Sequence, residues 1–181
     1  MTIRHMTRSV TCVSLLAVAL LLAAPAAAQM AAPAGPPKLQ TALASDAGTL
    51  SDKFAGLAKV MAGKYDWKPG QGVRSAGDVF NLIVGENKML AAVLTGAAAP
   101  ARGTPITDPA QMQEALTSSY AAVKTALAGL SDGDLKAPVK IFGMDSTKQG
   151  AAMMLLSDQH EHLGQSIAYA RSNGVVPPWS K

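Results

Sequence analysis

Leu155-Leu156-Ser157-Asp158-Gln159-His160-Glu161-His162-Leu163-Gly164-Gln165 is an apolar helical pattern interrupted by polar groups. It holds both histidines that remain once an N-terminal leader is set aside. On a helix, residues four apart lie ~40° apart in projection and about one turn along the axis. Asp158 and His162 therefore share a face with Leu155, Gln165 and Tyr169. His160 lies ~200° from Asp158 and points away, so the two histidines cannot serve one site on a regular helix. The pair to watch is Asp158 with His162.

Working back from this stretch, three more helical patterns precede it, and none is separated from the next by a convincing strand. Leu43, Ala47, Leu50, Phe54, Leu57 and Met61 alternate four and three apart, which gives one apolar stripe that ends near Gly63. Lys64-Tyr65-Asp66-Trp67-Lys68-Pro69-Gly70 reads as loop. Ser75 is a good N-cap for a second helix that runs to Leu94 or Thr95 before Gly96, with Asn81 set among Val79, Phe80, Leu82 and Ile83. Asp108-Pro109-Ala110-Gln111 opens a third, with Asp at the cap and Pro at the first helical position. Its inner face carries Met112, Leu116, Ser119, Val123, Ala126 and Leu130, and Ser131 to Asp134 stops it. Lys140 to Gly143 is a brief extended piece with no strand partner evident in the sequence. The fourth helix is expected to start near Ser146, with Gln149 closing a capping box, and to end before Asn173-Gly174. Four such helices are most economically buried as an all-α four-helix bundle, with the topology left open by the long second-to-third link.

At the N-terminus, Arg4, His5 and Arg8 precede the apolar run 10–24, and Ala26-Ala27-Ala28 offers an Ala-x-Ala exit. This is the pattern of a secretory signal peptide, 1–28, and the run is short for a membrane span of ~20 residues. A flexible Ala/Pro-rich leader, 29–40, and one domain, 41–181, follow. A periplasmic or secreted protein with no membrane-spanning segment after processing is expected. Cys12 lies inside the signal, so disulfides, a thiol nucleophile and thiolate metal sites are excluded from the rest. Of the 16 basic residues, Arg4 and Arg8 fall in the signal, which leaves 14 against 12 acidic ones. No Lys/Arg run is interleaved with aromatics, and nucleic acid is not an expected partner. A small-molecule ligand and a homodimer remain open. Phosphate-binding loops, nucleophile elbows and zincin motifs are absent.

Tyr65-Asp66-Trp67-Lys68-Pro69, Val73 to Phe80, and His162-Leu163-Gly164-Gln165 with Tyr169 and Pro177-Pro178-Trp179-Ser180 resemble the DinB superfamily. The likeness runs from about Ala42 to the C-terminus. It implies a four-helix bundle with a divalent metal held by one histidine of the second helix and two, four apart, of the last. Carried over, those positions fall on Asn81, Asp158 and His162, and only His162 keeps the family's residue type. A carboxylate and an amide in place of two imidazoles weaken zinc or nickel binding and favour harder ions. Gln165 and Tyr169 stand as supporting or substrate-positioning residues on the same face.

Two functions follow. One is a binding or structural module whose polar residues satisfy one another where the metal has been lost. The other is a metal-dependent hydrolase or transferase whose ion is held by Asp158 and His162. Glu86, five residues beyond Asn81 and off its stripe, is not expected to ligate. Arg74 reads first as a loop-fixing residue and second as an anion contact. Trp67 and Trp179 read as caps on the bundle ends, and the methionines as core filling.

Overall fold

The computed structural model describes residues 37–180 apart from 99 and 102; the expected signal peptide and most of the expected leader lie outside them. Helix α1 (Leu39–Val60) already begins within 29–40, and its Gln40 is buried and donates from Nε2 to the Leu130 carbonyl at 3.1 Å. The stripe Ala47, Leu50, Phe54, Leu57 and Met61 is buried as its spacing requires. Each large apolar side chain so removed from water contributes about 1.5–3 kcal/mol. Phe54 stacks on Tyr120 at 6.3 Å and meets the edge of Phe80 at 6.5 Å, which fixes the centre of the core.

Helix α2 (Ala76–Thr95) starts in a capping box: Asp78 N–H donates to Ser75 Oγ at 3.2 Å, and Ser75 N–H to the Asp78 carboxylate at 3.0 Å. A Cβ on Gly77 would stand 3.0 Å from the Cβ of Tyr65 and 3.2 Å from its carbonyl oxygen. A larger residue would have to push this first turn off the loop below it by a few tenths of an ångström. Helix α3 (Pro109–Ala128) is capped by Asp108, whose carboxylate accepts from Gln111 N–H at 2.8 Å. Packing resolves the topology. α1 and α2 each lie against α3 and against the last helix and scarcely touch one another, so consecutive α1 and α2 are diagonal in the bundle.

The connection between α3 and the last helix departs from the sequence reading. Ser131 to Asp134 stops α3 but also opens a single turn, α4 (Asp132–Leu135), with its own capping box. The extended piece does have a partner: β1 (Pro138–Ile141) pairs antiparallel with β2 (Met144–Thr147) across Phe142-Gly143. Both turn residues have positive φ, 52° at Phe142 and 78° at Gly143, as a two-residue type I′ hairpin needs. An L-residue in that region costs about 1–2 kcal/mol, and Phe is a poor choice for it. Ser146 is taken up by pairing with Val139, so the cap passes to Thr147, whose Oγ1 accepts from Gly150 N–H at 3.1 Å. α5 (Lys148–Ser172) follows and closes in a Schellman motif, with Val175 N–H on the Ala170 carbonyl at 2.9 Å and Gly174 at φ 68°. The Pro178-Trp179 tail folds over Gly56, and Trp67 meets Tyr169 edge-on at 5.1 Å. Met112 is core, whereas Met144 and Met153 are half exposed. Among the described residues no helix is long and apolar enough to cross a membrane.

A layer of polar side chains crosses the apolar core. Tyr120 Oη donates to Gln159 Oε1 at 2.9 Å, Gln159 Nε2 to Asn87 Oδ1 at 3.0 Å, and Asn87 Nδ2 to Ser119 Oγ at 3.1 Å. Tyr120, Asn87 and Gln159 are each 0% exposed. The layer ties α2, α3 and α5 together at one height, and sliding any of them by a turn would leave buried polar atoms unpaired.

Candidate metal centre

At the edge of this layer, α2 and α5 bring Glu86, Asp158 and His162 together, with one ligating atom of each within 4.8 Å of the others. Asp158 and His162 lie one turn apart on α5, as their spacing dictates, and the Asp158 carboxylate is 3.5 Å from His162 Nε2. Glu86 enters from α2, whose Leu82 sits one turn before it and lines the same cleft. Its carboxylate is buried, and Oε2 has no hydrogen-bond partner. Burial first, and the nearby Asp158 charge second, push the Glu86 carboxyl up to about 7 from 4.5. Two carboxylates converging with an imidazole form a donor set that a cation can satisfy.

The side chains behind His162 set which ring nitrogen is free. Tyr169 has a single proton, and it goes to the Arg74 carbonyl at 3.2 Å. Its oxygen must then accept from Gln165 Nε2, 2.8 Å away, which turns Gln165 Oε1 toward His162 Nδ1 at 2.8 Å. Nδ1 therefore carries a proton, which leaves Nε2, the nitrogen facing Asp158, as the one that could ligate an ion. A ligating histidine is usually oriented through its other nitrogen in just this manner. Gln165 and Tyr169 thus act by holding His162 and its tautomer.

Asn81 is engaged elsewhere. Its Oδ1 accepts from Ile106 N–H at 2.8 Å, and Nδ2 donates to the carbonyls of Ile106 and Gly77, both at 3.0 Å. It pins the α2–α3 link to α2, and its amide is saturated by backbone. The α2 side chain that converges with Asp158 and His162 is Glu86, while the Asn81 amide, which the resemblance set at the metal, is turned to the link in this structure. His160 is exposed, with Nε2 3.0 Å from the Asp46 carboxylate of α1.

The triad opens on a cleft of about 470 Å³ lined also by Arg74, Leu82, Phe142, Met154 and Leu155. A divalent ion fits this donor set: one imidazole nitrogen and two carboxylates, one of them buried with an oxygen that lacks a hydrogen-bond partner. The structure is thus a helical bundle with a candidate ion site between facing helices.

Comparison with solved structures places the fold. A DinB-like protein from Bacillus subtilis, YjoA, superposes with a TM-score of 0.62 at 19% identity, over 74% of this chain and 92% of the other. A DinB-like protein from Bacillus cereus gives 0.66 at 17% identity, over 77% and 95%. The chain has the DinB-like fold. No family profile matches the sequence, and comparison with curated proteins finds no match.

Proposed function

We propose that this protein is an exported divalent-metal-binding module in which Glu86, Asp158 and His162 hold the ion and leave its remaining positions facing the cleft. The observation that carries the reading is the buried, unpartnered Glu86 oxygen converging with Asp158 and His162. When bound, the ion would act as a Lewis acid toward whatever enters the cleft. Gln165 and Tyr169 keep the Nε2 lone pair of His162 aimed at the site, and Leu82, Met154 and Leu155 keep one wall apolar. The oxygen-rich set supports preference for a harder ion than three imidazoles would select. A metal-dependent hydrolase or transferase is the second reading, and the open cleft beside the triad favours it.

Calorimetric titration of chelator-stripped, untagged protein with manganese, zinc and nickel tests the site. One ion per chain is expected for at least one of these metals. Asp158→Ala should weaken it by at least about tenfold, the loss seen even for outer-shell partners. A parent chain that takes up none of the three ions rejects the reading.

Export rests on the signal-like segment 1–28. Sequencing the N-terminus of protein from the cell envelope should find Gln29 first. An intact Met1 would rule export by this route out.

A further inference from the structure

The cleft lining is chemically mixed. The triad and the exposed Arg74 are its charged part, and among the described residues the Arg74 guanidinium has no ion-pair partner. Leu82, Met154, Leu155 and Phe142 are its apolar part. Phe142 is 60% exposed, at the tip of a hairpin whose turn it suits badly. The tip is nevertheless firmly held. Ile141 beside it is buried in the core, and Lys148 N–H closes the hairpin base on the Ala137 carbonyl at 3.0 Å. An aromatic ring kept in a strained, exposed turn above a cleft is the kind of local conflict that persists where a ligand makes use of it.

We propose that the cleft binds a small organic anion with an apolar body, such as a short-chain carboxylate, with Arg74 and the ion on its head group and Phe142 closing over its tail. A volume of about 470 Å³ suits a ligand of this size. A head group alone would leave the apolar wall unused, and a neutral apolar ligand would leave Arg74 unmatched. The proposal rests on the metal reading for the second contact to the head group.

The probes are hexanoate and hexanol, followed by calorimetry on the metal-loaded full-length protein, with ion uptake titrated separately on each variant. The parent should bind hexanoate about tenfold or more tighter than hexanol, and Arg74→Gln should reduce that preference by about threefold or more, the ion keeping the rest. Phe142→Asn places in the turn a residue that tolerates positive φ, so its unfolding midpoint should rise by about 2–4 °C. The same variant should bind hexanoate about tenfold more weakly, because the ring no longer covers the tail. Stability rising while affinity falls is the signature of strain kept for binding. Hexanoate bound no better than hexanol by the parent, or equally well by Phe142→Asn, overturns the proposal. An ion bound with no hexanoate uptake sinks this inference and spares the metal site; absence of ion uptake in the separate titration sinks the metal reading.

Discussion

Glu86→Gln should make the metal-free protein more stable above pH 7 and at the same time abolish ion binding. The carboxyl of Glu86, held up to about 7 by burial and by the Asp158 charge, keeps a proton in the folded chain that the unfolded chain releases near 4.5. Its folded value is the higher one, so its contribution is most favourable below the unfolded value and is lost as pH rises through 7. At pH 8 the folded chain must carry an ionised, buried carboxylate beside another. Allowing for solvent screening, the penalty is on the order of 2 kcal/mol. The amide introduced by Glu86→Gln carries no charge and can donate to Asp158. The midpoint should rise by about 4–8 °C at pH 8 and change little at pH 4. Saturating metal should reverse the order, because the parent gains about 2.7 kcal/mol at a hundredfold excess over Kd and the variant gains nothing. Thermal melts with and without ion at the two pH values check this. A metal-free variant less stable than the parent at pH 8 would show that Glu86 is satisfied as an anion and is not waiting for a cation.

Gln159→Leu should be strongly destabilising while leaving the candidate ion ligands in place. It leaves the Tyr120 hydroxyl and Asn87 Oδ1 without partners in a fully buried layer. At about 1–3 kcal/mol for each orphaned group, the loss comes to roughly 3 kcal/mol, or a midpoint about 6–12 °C lower. Adding Tyr120→Phe removes one of the orphans, so the double variant should recover part of that loss. Denaturant titration of the single and double variants gives the comparison. Simple addition of two separate losses would mean that the two side chains do not depend on each other.

The bundle was legible because its stripes are long and its caps are well marked. The spacing from Ala47 to Met61 needs a helix, and Ser75 and Asp108 carry unambiguous start chemistry. The hairpin was not legible. Its strands are four residues each and largely exposed, and Phe142-Gly143 lacks the Asn or Asp that signals such a turn. With β2 unrecognised, the start of α5 was placed at Ser146, one residue before the true cap. At the site, Asp158 and His162 came from helical spacing within one element. Glu86 joins them from a different helix, and its facing depends on how α2 sits against α5. A hint lay beside it: Asn87 occupies the stripe Ile83, Asn87, Leu90, Leu94, and a polar residue on a core stripe announces a buried network. The role of Asn81 depends on where the link 103–108 comes to rest, which no periodicity encodes.

The relay from the Arg74 carbonyl through Tyr169 and Gln165 to His162 separates what is bound from what does the mounting. The residues by which the chain resembles the DinB superfamily, the Trp-x-Pro loop, the Gly-Gln step and Tyr169, are largely on the mounting side: Trp67 braces Tyr169, and Tyr169 reaches the loop backbone. The positions proposed to face an ion are few and hang on this bracket. Exchanging carboxylate for imidazole at 86 or 158 would therefore leave the bracket itself untouched. The same economy makes this bundle a convenient chassis for built metal sites, since new ligands at 86 and 158 inherit an imidazole whose tautomer is already assigned.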